Sequence, residues 1–358
     1  MTFANSNRRA SALAVAIYFC LPAAVCQDRT ALPVVTSWRE PDLAAALAWS
    51  PSKPLLATLR RDGTITVRDT TTWEVKQTLQ GVESLRGAIA FSPNGRWLAT
   101  GGDNRLRVWK VGRKWQRIVD HELTFDDDED DALEDEDAVY VPTLSEISTM
   151  LFSRNSKHLY LGGDAAYAEI WDTKTWQRQG HIVDKSQEID DETMLTSLAL
   201  ANRGRAVVTG GTSPAIQIWS AKQKKWLSKE LVDNQAKHLQ NEGTDLRVSP
   251  NGKTIALGGA LRGGRLQIID ARHAKLLHDK PVKAGYIPAV DFAHDGASVY
   301  AASLDFCAYD VKSGALLREF TLPAMALVLR RSPDGQFVAI SCEDEQVRIY
   351  RVIAEQEK

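Results

Sequence analysis

The chain has 358 residues, of which 44% are hydrophobic and 25% charged, and its formal net charge is −2. That is a globular composition, long enough for one large or two medium domains. Residues 126–137 (DDDEDDALEDED) hold ten carboxylates, so the rest of the chain is net basic; such an acidic block argues against a nucleic-acid-binding protein, whose basic footprint would dominate.

In chain order, residues 1–26 come first. Arg8 and Arg9 precede an apolar run, 10–24, followed by small residues and then Gln27 and Asp28. A basic segment, a short apolar core and a small-residue zone predict a secretory signal peptide, and the apolar run is too short for a comfortable membrane span. The protein is therefore expected to be exported to a periplasmic, envelope or secreted location. Lipid anchoring through Cys26 is disfavoured by Val25 in front of it. Beyond that segment only Cys307 and Cys342 remain; no CxxC motif exists, and two buried thiols are expected.

From residue 27 to 353 the chain repeats itself. FSPNGRWLATGG (91–102), VSPNGKTIALGG (248–259) and RSPDGQFVAIS (331–341) nearly coincide. Weaker copies start at Trp49, Phe152, Leu200 and Phe292. Each copy reads as an apolar strand, a turn rich in Pro, Asn, Asp and Gly, and a second apolar strand, which is a hairpin. A third strand follows in each, marked by Arg68, Trp109, Trp171, Trp219, Ile269, Tyr309 and Tyr350. These landmarks recur 40–50 residues apart except between Trp109 and Trp171, where an acidic insertion (122–144) lengthens the interval to 62. A fourth strand begins near Trp73, Trp115, Trp176 and Trp226. The seventh copy stops at its third strand, ahead of a charged tail (354–358), while 32–40 (LPVVTSWRE) is a spare strand before the first copy.

The SPNG and SPDG turns, with Trp171-Asp172, make the chain resemble the WD-repeat propeller family over residues 30 to 353. The resemblance implies an all-β fold: a single seven-bladed β-propeller of four-stranded blades, closed by pairing the N-terminal strand with the C-terminal blade. The copies are degenerate. Turn aspartates persist as Asp62, Asp103, Asp305 and Asp344, but Gly180-His181 is the one Gly-His dipeptide and lies out of place. The family's buried hydrogen-bond tetrad is thus largely missing, and stability is expected from apolar packing between blades.

No catalytic spacing is found: there is no GxSxG, no HExxH and no phosphate-binding glycine loop. The seven histidines are scattered singly. Glycine pairs at 101–102, 162–163, 210–211 and 258–259 recur at one point of the repeat and read as strand-end turns. The tryptophans that open the fourth strand read as caps of a blade against its neighbour.

Asp126, Asp128, Asp130, Glu134 and Asp137 fall at positions 1, 3, 5, 9 and 12 of an EF-hand-like loop. Asp131 replaces the glycine needed at position 6, and position 12 is not the bidentate Glu, so this is a weak metal candidate. No cofactor is expected.

The family resemblance puts both acidic inter-blade connections on one rim. The candidate partner-binding residues are Asp126, Asp127, Asp128, Glu129, Asp130, Asp131, Glu134, Asp135, Glu136 and Asp137, joined by Glu188, Asp190, Asp191 and Glu192. The expected function is a non-enzymatic scaffold, a monomeric propeller that presents these loops to a basic protein partner, or else leaves them as solvated insertions. The alternative is a propeller enzyme or small-ligand binder at the central channel, and a third possibility is a calcium-stabilised envelope protein. The family alignment puts Ala45, Gly87, Ser148, Thr196, Thr244, Pro288 and Leu327 at the channel mouth. All are uncharged, which counts against metal or cofactor chemistry there.

Overall fold

The structure, a computed structural model, describes residues 30–123, 144–165, 167–182, 194–211, 216–220, 225–228, 245–259, 264–273, 275–282 and 285–352. These residues form seven four-stranded antiparallel sheets and no α-helix. Blades 1 to 6 span 44–80, 88–122, 147–182, 195–228, 245–281 and 289–321, each with its four strands in sequence order from the axis outward. Blade 7 takes three strands from 326–351 and its outer strand, Val34–Arg39, from the other end of the chain. The inner strands touch their neighbours all the way round, so the ring is closed.

Local chemistry explains why the same hairpin forms repeatedly. In the SPNG turn of blade 2, the Ser92 hydroxyl donates to Asn94 Oδ1 (2.8 Å) and accepts the Trp97 N–H (2.9 Å), while Asn94 Oδ1 also accepts the Arg96 N–H (3.0 Å). Ser249 and Asn251 repeat the arrangement in blade 5, and Ser332 and Asp334 repeat it in blade 7. The turn thus satisfies its own backbone donors before any tertiary contact forms. The glycine that follows has a second duty. Gly335 sits at φ +75°, and a Cβ there would lie 2.3 Å from Cβ of His294 in the turn of blade 6. Only a residue without a side chain lets adjacent turns nest this closely.

The recurring glycine pairs lie at the ends of second strands, and they serve close approach. A Cβ on Gly101 would meet Ile147 of blade 3 at 2.6 Å, and one on Gly258 would meet Val290 of blade 6 at 2.7 Å. They let the next blade's inner strand close against the sheet.

Among the described residues seven apolar clusters make up the core, and each is shared by two adjacent blades. Leu56, Ala44 and Leu47 of blade 1, for example, pack on Val328, Ala339, Val347 and Ile349 of blade 7. Stability is therefore built between blades, as expected where the tetrad is degenerate. The turn aspartates are tied locally: Asp62 pairs with Arg60 (2.9 Å) and Asp344 with Arg348. Trp171 Nε1 donates to the buried Glu169 (2.7 Å). Cys307 and Cys342 are both buried, as expected; burial pushes the Cys342 thiol up to about 11.

The same blade 1–blade 7 boundary holds the ring shut. Val34–Arg39 pairs antiparallel with Gln346–Arg351, and Arg39 bonds Glu345. Trp38 packs against Trp73 (6.3 Å between centroids), carries the Arg68 guanidinium 4.4 Å above its ring, and donates Nε1–H to Glu40 (2.8 Å). Glu40 is itself only 2% exposed and lies 3.5 Å from Arg60 of blade 1. Trp73 also packs edge-on against Phe337 of blade 7, and Trp176 of blade 3 against Trp97 of blade 2. These tryptophans cap blade against blade; the side chain of Trp226 lies outside the described residues.

Candidate interaction face and central channel

The inner strands surround a cavity of about 800 Å³ along the propeller axis. Ala45, Ser148, Thr196 and Leu327 are each the extra residue where the first and second strands slip register, between Ala44/Ala46, Ile147/Thr149, Leu195/Ser197 and Ala326/Val328. These four, with Gly87 and Pro288, line the cavity as expected, while Thr244 lies outside the described residues.

The channel also carries charge that the mouth positions do not show. Asp245, Arg247 and Arg330 line it, along with Arg61 and Arg86. The physical reason is strand alternation: past the mouth, every second residue of an inner strand faces the axis, and the mouth positions do not include that row. In blades 1 and 2 that row is Ala46, Ala48, Ala88 and Ala90; in blade 5 it is Asp245 and Arg247. The inner strands of blades 1 and 2 thus present small residues, while Arg61 and Arg86 bring charge to that side from a turn and a connection.

The blade 5 charge is largely neutralised from within. Asp245 pairs with Arg247 (3.1 Å) and Arg330 (3.0 Å) and accepts the Val290 N–H (3.0 Å). Asp291, in blade 6, accepts the backbone N–H groups of Phe292 and Arg331, both at 2.8 Å. Desolvation, and then the neighbouring Arg330, lowers the Arg247 pKa. Arg61 carries no such partner, and its Nε is buried without an acceptor among the described residues.

The face on which the channel opens carries the connections between blades and the turns between second and third strands. At the end of blade 2, the Leu123 N–H donates to the Asn104 carbonyl (2.9 Å), and the Asn104 N–H donates to the Ser145 carbonyl (2.6 Å). Asn104 takes a left-handed φ of +56° to do so. It therefore holds both ends of the chain that enters and leaves the acidic insertion. Asp164 fastens the return by accepting the N–H groups of Ser145 and Glu146, both at 3.0 Å. Burial, with Asp103 and Asp164 nearby, raises the Glu146 carboxyl above its ordinary value, and Arg86 opposes that shift. At the next connection, the Leu195 N–H donates to the Ala165 carbonyl (3.2 Å), beside the corresponding turn of blade 3. The candidate partner-binding residues 126–131, 134–137, 188 and 190–192, and the weak calcium positions among them, lie outside the described residues. Among the described residues no three His, Cys, Asp or Glu side chains converge to hold a metal ion, and no helix is long and apolar enough to cross a membrane.

Seven four-stranded blades around a channel define a seven-bladed β-propeller. Residues 73–110 match the family described as WD domain, G-beta repeat, so that stretch carries the WD sequence pattern. The chain is similar to the solved β-propeller domain of Cps50 (Swd1) from Myceliophteria thermophila, with a TM-score of 0.69 and 17% identity over 90% of this chain and 100% of that one. No curated protein matches by sequence. At this identity the likeness establishes the fold alone, which WD-repeat proteins commonly use to bind protein partners.

Proposed function

We propose that this protein is a non-enzymatic interaction scaffold, a monomeric propeller that engages a protein partner through the face bearing its inter-blade connections. The observation that carries the reading is the anchoring of the chain at both acidic connections, by Asn104 and Asp164 in one case and Ala165 in the other, on one face. Their sequences, 126–137 and 184–193, are dense in carboxylate, so the partner surface they suit is basic. The Arg8–Arg9 pair and the apolar run 10–24 support an exported location.

Crosslinking and capture from the native cell envelope, with wild type and with residues 126–137 deleted, tests this. Loss of a basic partner on deletion, at an unchanged melting temperature, supports it; recovery of the same partners by both overturns the acidic docking surface. A second reading, a small-ligand binder in the channel, rests on the charged wall of Asp245, Arg247 and Arg330. A bound chromophore or metal in the purified protein would favour it, and with it an enzymatic role.

A further inference from the structure

A second cavity, of about 720 Å³, opens between blades 3 and 4 at the turns joining first and second strands, on the face opposite the inter-blade connections. Its polar lining includes Arg154 and His158 from blade 3 and Arg203 and Arg205 from the turn of blade 4. Gln179 joins them as the extra residue where the outer strand slips register between Ile170 and Trp171.

Two of these arginines, Arg154 and Arg203, stand where the repeat calls for other residues. Aligned on FSPNGR, the blade 3 turn FSRNSK has Arg154 in place of proline, and the blade 4 turn LANRGR has Arg203 in place of asparagine. The blade 4 turn has thereby given up the Ser–Asn hydrogen bonds that order its relatives. Asn202 and Arg203 take successive left-handed conformations, at φ 48° and 58°. A locally disfavoured turn that presents a charged side chain to a cavity is a reason to ask what the charge meets.

Among the described residues it meets no carboxylate. None lines the cavity, and no ion pair is made by Arg154, Arg203 or Arg205. Asp172 lies across the ladder from His158 and interacts with it electrostatically, but it does not line the cavity, and its Oδ1 accepts the N–H groups of Lys174 and Thr175, both at 2.8 Å. His158 Nδ1 is buried with no partner. Three solvent-exposed guanidiniums, an imidazole and the amides of Asn155 and Gln179 thus line one cavity and supply many donors.

We propose that this groove binds a phosphate or sulfate oxyanion, free or carried on a small organic molecule. Guanidinium forks match tetrahedral oxyanions in geometry and charge. The volume lies within the range of small-molecule sites, so a nucleotide-sized carrier is accommodated.

The test is calorimetric titration of the full chain with inorganic phosphate, sulfate and AMP, at an ionic strength held constant with chloride. Saturable binding of phosphate or sulfate, with a melting temperature raised by about 2 °C at roughly tenfold excess over Kd, is expected. A tighter AMP isotherm would mark an organic carrier, and equal isotherms the free ion; either supports the site. Arg154→Gln/Arg205→Gln should weaken binding about tenfold or more while keeping the ligand-free melting temperature. Arg203→Asn, which suits a left-handed φ, provides an independent variant with the same expected loss. No saturable response to any of the three, or isotherms unchanged in the variants, would overturn the proposal.

Discussion

Replacing Trp38 with alanine tests what holds the ring closed. The half-buried indole packs on Trp73, supports the Arg68 guanidinium at 4.4 Å, and donates to Glu40, a carboxylate only 2% exposed. Truncating a fully buried Trp costs about 3–5 kcal/mol, and half-burial brings that to about 2. Withdrawing a donor from a buried carboxylate adds about 1 kcal/mol, since Arg60 and Thr66 remain near it. The expected loss is therefore about 3 kcal/mol, read as a lower urea midpoint with an unchanged slope. Val34→Ala, in the same strand but 52% exposed, should stay within about 0.5 kcal/mol. A Trp38→Ala loss below about 1 kcal/mol, or one equal to that of Val34→Ala, would refute closure through this strand's inward contacts.

Gly335→Ala should cost about 2 kcal/mol or more in the same assay, because it adds a Cβ 2.3 Å from His294 at φ +75°; a neutral result would mean the turns do not nest. Asp69 is held down to about 2, first by Lys76 and then by the backbone N–H of Thr71. With its folded value below the ordinary 3.8, its contribution is fully present above about pH 4 and is lost as pH falls through about 2. The melting-temperature gap between wild type and Asp69→Asn should accordingly shrink from pH 6 to pH 2; a constant gap would contradict this. Cys307 and Cys342 should resist a thiol reagent at neutral pH until denaturant is added, and rapid labelling of the folded protein would show that these blades open readily.

The fold was legible because its determinants are local. Ser92, Asn94 and Gly95 build a turn from hydrogen bonds within six residues, so the pattern survives in one dimension and can be counted. Counting then exposed the spare strand at 32–40 and the blade it completes. The charged channel wall was not legible because the family alignment marks one mouth position per blade, whereas Asp245, Arg247 and Arg330 stand further along their strands. The arginine groove was hidden for another reason: Arg154, Gln179 and Arg205 come from three separated segments that only the packing of blades 3 and 4 unites. Its one trace in the sequence was the pair of turns that had lost Pro and Asn to arginine.

Hydrogen–deuterium exchange of the protein with and without its captured partner tests the interaction face most directly. Protection is expected at the turns around Asn104 and Asp164–Ala165 that hold the acidic connections. Protection confined to the opposite face or to the outer strands, with those turns exchanging as in the free protein, would contradict it.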